Sequence, residues 1–196
     1  PVLVNRGETV NLSATLVESS FNFRPVGNSS VTTLFHETWL PTVTTDGSGT
    51  ANTSFTVPGS HPLGLIIVSY FYNGSSDLLL SQANLSSVTV RSLTFLVVDQ
   101  ITDNPVAGSS FNVSGRVVSD NGTGLMNRDG SRLTANVLFT IDDQPIGFSV
   151  SNGSVQDGGW WNATLTLTPG FEAGTHLLEA SIVPTVDFYV GSKNNT

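Results

Sequence analysis

The chain has 196 residues, no Cys, and a formal net charge of −8 from 7 basic and 15 acidic residues. That length fits one large domain or two of about 100 residues, and without Cys there is no disulfide framework and no thiolate metal site, so stability must come from packing. Scattered basic residues, with Lys193 the only Lys, give no footprint for nucleic acid, and an acidic surface is repelled by anionic lipid.

Alternation with a period of two runs along the chain from its start. In Thr9-Val10-Asn11-Leu12-Ser13-Ala14-Thr15-Leu16 the even positions are apolar. Such alternation predicts half-buried strands, and no stretch shows the apolar spacing of a helix. Val31 to Leu40 continues the pattern, as does the run from Leu65 to Tyr72. The apolar run Leu63 to Val68 is strand-sized, so no membrane insertion is expected of this segment. Phe111 to Val117, Trp161 to Leu167 and His176 to Val183 complete the series. Turn pairs punctuate it: Asp46-Gly47, Pro58-Gly59, Asn73-Gly74, Asn121-Gly122, Asp129-Gly130, Asn152-Gly153 and Pro169-Gly170. Many short strands separated in this way predict an all-β antiparallel sandwich fold.

The pattern also repeats at a period near 100 residues. Arg6 to Val17 aligns with Ala107 to Val118, and Gly49 to Gly59 with Gly159 to Gly170. Two copies of one unit are therefore expected, domain 1 over residues 1–91 and domain 2 over residues 92–196. The shared order is Gly-x-x-Val/Phe-Asn-Leu/Val-Ser, an apolar strand, Gly-x-x-x-x-Ser/Thr-Phe/Leu-Thr, Pro-Gly, and a further strand. It resembles the tandem bacterial and archaeal immunoglobulin-like domains of surface-layer proteins, adhesins and extracellular filaments. The resemblance implies two tandem immunoglobulin-like β-sandwiches at the cell surface, acting as spacer, stalk segment or filament subunit.

The ends read as complementary. Domain 1 closes with the strand Val88-Thr89-Val90, whereas domain 2 stops at Ser192-Lys193-Asn194-Asn195-Thr196 with no matching apolar strand. Pro1-Val2-Leu3-Val4 has the missing character. Domain 2 is thus expected to lack its last strand and to be completed by Pro1 to Val4 of the next copy, joined head to tail through strand donation or covalent continuation. Truncation of the sequence is the plainer alternative. The first residue is Pro rather than Met and no signal peptide is present, so the chain is expected to be processed or a piece of a longer one.

Chemistry-bearing motifs are few, with one exception. Asn-x-Ser/Thr occurs at Asn11, Asn28, Asn52, Asn73, Asn84, Asn112, Asn121, Asn152, Asn162 and Asn194, ten of the sixteen Asn. Ser and Thr make up about a quarter of the chain, for which chance gives about four such sites. Asn11, Asn52, Asn112 and Asn162 fall on the polar side of alternating strands, where Asn is disfavoured and a glycan would project into solvent. Asn73, Asn121 and Asn152 fall in Asn-Gly turns, where Asn is also an ordinary turn former. N-linked glycans are therefore expected, and would keep a chain of few charges and mean hydropathy +0.10 in solution.

His36, His61 and His176 stand in no catalytic order, and Asp142-Asp143 reads as a solvated turn. Asp99, Asp103 and Asp187 are weak candidates for Ca²⁺, without the dense spacing of a calcium loop. Of the indoles Trp39, Trp160 and Trp161, Trp161 has the inward register. Trp160 then points outward beside Asn162, able to stack on a sugar or to lie under a loop or neighbouring subunit. The expectation is a glycosylated extracellular structural unit that is not an enzyme, needs no cofactor and has copies of itself as partners. Alternatives are an adhesin or carbohydrate-binding pair, or a non-catalytic spacer of a larger secreted protein.

Overall fold

The computed structural model describes residues 1–195 except 21, 100, 102, 103, 128, 132, 134, 144–147 and 152–156. The chain is all-β, and it divides into two compact units, Pro1–Val90 and Arg91–Thr196. Among the described residues no helix is long and apolar enough to cross a membrane.

Unit 1 contains β1 (Val2–Asn5), β2 (Thr9–Thr15), β3 (Val17–Glu18), β4 (Arg24–Pro25) and β5 (Ser30–Phe35). It continues through β6 (Thr38–Trp39), β7 (Val43–Thr44), β8 (Thr50–Thr56) and β9 (Gly64–Tyr72) into β10 (Ser81–Val98). One layer is the antiparallel pair β2–β8. In the other, β9 lies between β5 and the first half of β10. Alternation decides what lies between the layers. Val10, Leu12, Ala51 and Val57 from the first meet Val31, Phe35, Ile66, Val68, Tyr70, Val88 and Val90 from the second in one core.

Unit 2 opens on the second half of β10. It adds β11 (Ser110–Ser119), β12 (Val137–Ile141), β13 (Phe148–Ser151), β14 (Trp160–Leu167), β15 (Leu178–Ile182), β16 (Tyr189–Val190) and β17 (Ser192–Asn195). One layer has the order β13-β14-β11-β10, and the other β12-β15-β17. Phe111, Val113, Trp161 and Leu165 are buried from the first, and Val137, Phe139, Ala180 and Ile182 from the second. Trp161 meets Phe139 edge-on at 5.7 Å between centroids.

The repeated glycines have a shared cause. Gly49 and Gly159 have φ of 76° and 82°, a conformation that a side chain disfavours. A Cβ would also stand 2.5 Å from the Leu16 carbonyl oxygen at Gly49, and 1.8 Å from that of Val117 at Gly159. Leu16 and Val117 are themselves equivalent in the repeat. Gly115 serves a different end: it pairs with Trp161 across the ladder, and a Cβ there would lie 2.0 Å from the Val97 carbonyl oxygen and 2.5 Å from the indole.

In the single chain, both ends of the expected strand exchange lie within their own units. Val2–Asn5 pairs with β10, and Val4 is buried in the core of its own unit. Unit 2 carries its own terminal strand, since Ser192–Asn195 pairs antiparallel with β15 from Ile182 to Glu179. That strand has no apolar alternation to betray it, because polar contacts hold it. The Asn194 Nδ2 donates to the Leu96 carbonyl at 2.8 Å, Thr94 Oγ1 meets Ser192 Oγ at 3.1 Å, and Lys193 pairs with Glu179 at 2.7 Å.

Gly115→Ala forces the ladder and the indole apart and is expected to destabilise unit 2 by roughly 1–3 kcal/mol. Denaturant unfolding should show a lower midpoint for unit 2 and an unchanged one for unit 1; an unaltered unit 2 midpoint would contradict this packing.

Candidate glycan acceptor face

The mid-strand Asn-x-Ser/Thr sequons are brought together in pairs. On β2 and β8 the outward rungs are Thr9 with Thr56, Asn11 with Ser54, Ser13 with Asn52, and Thr15 with Thr50. On β11 and β14 they are Ser110 with Thr166, Asn112 with Thr164, Ser114 with Asn162, and Arg116 with Trp160. Each sequon Asn therefore faces the hydroxyl residue of the other sequon. The arrangement arises because a sequon places Asn and Ser/Thr two residues apart, on one face of a strand, and the partner strand runs the other way.

The first rung of each set is a hydroxyl pair, with Thr9 and Thr56 oxygens 2.8 Å apart and those of Ser110 and Thr166 2.7 Å apart. In unit 2 the Thr164 hydroxyl donates to Asn112 Oδ1 at 2.9 Å. Asn11, Asn52, Asn112 and Asn162 are all exposed. The residues directly opposite them are Ser54, Ser13, Thr164 and Ser114.

The remaining sequons separate by geometry. Asn28 is exposed with φ 53°. Asn73 precedes Gly74 in an exposed turn, and Asn84 lies exposed in β10 opposite Ser69. Asn121 is exposed, its Oδ1 accepting from Thr123 N at 3.1 Å and Thr123 Oγ1 at 2.7 Å. Asn194 differs: its Nδ2, the atom a glycan would take, is committed to Leu96 and the residue is half-buried. Asn152 lies outside the described residues.

Trp161 is 2% exposed and Trp160 is 55% exposed, which is the division read from alternation. Sequence reasoning missed the partner of Trp160. Arg116 places its guanidinium carbon 5.4 Å from the Trp160 ring centroid, and its Nε donates to the Gly158 carbonyl at 2.9 Å. Only the strand register makes them neighbours. Trp39 is 59% exposed and leans on Phe71 at 5.1 Å.

The histidines hold loops. His61 is buried beside Phe35 and His36, at 5.4 and 5.5 Å between ring centroids. Its Nδ1 pairs with the Pro62 carbonyl at 2.8 Å, its Nε2 is buried without a partner, and burial lowers its pKa. Arg6 Nε donates to the His61 carbonyl at 2.7 Å. In unit 2, His176 Nδ1 meets Asp142 Oδ2 at 2.7 Å and its Nε2 meets the Glu172 carbonyl at 3.0 Å. The Asp142 hydrogen bond raises the His176 pKa. With Nε2 donating to a carbonyl, that nitrogen has no lone pair free to take a proton.

The carboxylates of Asp142 and Asp143 do not act as a pair. Asp142 accepts from His176 and from the Leu177 N–H at 2.9 Å, and both residues take left-handed φ values of 51° and 62°. Asp99 accepts from Ser114 Oγ at 2.6 Å, and Asp103 lies outside the described residues. Among the described residues no three His, Cys, Asp or Glu side chains, Asp187 included, come together as a metal site.

No protein-family model and no curated protein matches the chain. Similar solved structures include the Escherichia coli adhesin FdeC, at 18% identity and a TM-score of 0.47, matched over 94% of this chain and 57% of that one. An Escherichia coli alpha-2-macroglobulin is similar at 8% identity and a TM-score of 0.39, over 100% of this chain and 21% of that one. A 1.5-MDa bacterial ice-binding adhesin is similar at 17% identity and a TM-score of 0.35, over 99% of this chain and 59% of the solved one. The chain thus spans less than two thirds of each.

His61 gives a signed pH response. Its folded pKa lies below the unfolded 6.5, so its contribution is full above that value and is lost as pH falls through the lowered folded value. Thermal unfolding from pH 7.5 to pH 5 should show unit 1 weakening, and His61→Leu should remove part of that slope. An identical slope in the variant would count against a buried neutral imidazole.

Proposed function

We propose that the chain is a non-catalytic structural segment of an extracellular surface protein, coated with N-linked glycans. The observation that carries this reading is the recurrence of crossed sequons at the same rungs of both units, on the exposed side of strands where Asn is otherwise disfavoured. A turn former explains none of those four positions. A sugar coat also accounts for solubility in a chain with 11% charged residues.

Serial assembly with further copies of the same kind of unit fits the connection between the two units. Strand β10 closes unit 1 with residues up to Val90 and opens unit 2 from Arg91, with no linker residues between. Repetition of that device joins sandwiches covalently, head to tail, and makes a stalk, a filament or a surface-layer element. It needs no donated strand.

Intact mass and glycopeptide mapping of the native material test the glycoprotein reading. The mass should exceed the bare 20.7 kDa by several sugar chains, with Asn11, Asn52, Asn112 and Asn162 occupied and Asn194 bare. A mass equal to that of the bare chain sinks the proposal.

The exposed Trp39, packed on the half-buried Phe71, favours a second reading, a carbohydrate-binding adhesin. Glycan-array binding that disappears with Trp39→Ala would support it; an array without signal would leave the structural role alone.

A further inference from the structure

The two units carry the same crossed sequons but differ at the rung beside them. In unit 1 that rung is Thr15 with Thr50, and in unit 2 it is Arg116 with Trp160. Trp160 stands two residues before Asn162 on the same outward face, about 7 Å along the strand. More than half of the Trp160 surface is open. The indole is also fixed in place, because Arg116 lies against its ring and is itself tied to the Gly158 carbonyl. A held, exposed aromatic face next to a glycan acceptor has the chemistry of a sugar platform: the C–H face of a pyranose packs on a π-system and loses apolar area to water.

We propose that the first sugar on Asn162 packs on Trp160, so that the glycan at this site is a stabilising part of unit 2 and not only a solubilising one. This rests on the glycoprotein reading above. The chemical class is an N-linked saccharide with an exposed C–H face on its first ring. Unit 1 supplies the internal control, since Asn52 has Thr50 at the equivalent place and no aromatic to receive its sugar.

The test is a double-mutant cycle on the glycosylated full chain, comparing Asn162→Gln in the Trp160 and Trp160→Thr backgrounds, with Asn52→Gln alongside. Site-specific glycopeptide mapping accompanies each variant. The expected result is that the Asn162 glycan raises the unit 2 melting temperature by roughly 4 °C when Trp160 is present and by far less with Trp160→Thr. Trp160→Phe should keep most of the gain, and loss of the Asn52 glycan should leave Tm nearly unchanged. Nuclear Overhauser contacts between the indole and the first sugar ring give a readout independent of stability. An occupied Asn162 whose gain is the same in Trp160→Thr overturns the platform and leaves the glycoprotein reading standing. A bare Asn162 amid other occupied sites does the same. A chain bare at every sequon overturns both.

Discussion

Each sandwich depends on one strand pair whose side chains alternate without a slip, β2 with β8 and β11 with β14. A shift of one residue in either pair would turn every inward side chain outward. In β11 that would expose Phe111, Val113 and Val117, which the fold buries, and bury Asn112 and Ser114. Hydrophobic burial therefore fixes the register, and the register in turn decides where each sequon Asn stands. The crossed sequons are a by-product of that constraint, since two antiparallel strands with Asn-x-Ser/Thr in matching places present them facing one another.

Much of this was legible in the amino-acid order. The alternation at Thr9 to Leu16 separates Val10 and Leu12, in the core, from Asn11 and Ser13, outside. It also separates Trp161 from Trp160. The repeated Gly49 and Gly159 were visible as motif residues, and their reason became visible only with the carbonyls of Leu16 and Val117 beside them. The ends were less legible. Ser192–Asn195 is a strand made by backbone pairing and side-chain hydrogen bonds, so hydrophobic patterning has nothing to detect. Pro1 to Val4 looked like a strand, as it is, and the apolar pattern could not say which sheet it joins. Cross-strand partners such as Arg116 and Trp160 lie 44 residues apart and are invisible until pairing is known.

The surface divides its labour in an unusual way for a chain with few charges. Hydroxyl and amide side chains cover the outward rungs of β2, β8 and much of β11 and β14. The outward side of β9 instead carries Leu65 and Ile67, 50% and 62% exposed. The polar face is the one rich in sequons, and the apolar stripe on β9 has none. Asp142 and His176 illustrate how the few charges are used: they tie a turn to the start of β15 and keep a loop in place. Charge here is local fastening, while wetting is left to hydroxyls and amides.

Strand β10 has a further consequence for where such a chain can be cut. Because the last strand of one unit runs directly into the first strand of the next, the natural seam lies at Val90–Arg91, inside a strand and not in a loop. Cleavage at that seam leaves two fresh strand ends and splits a single hydrogen-bonded element.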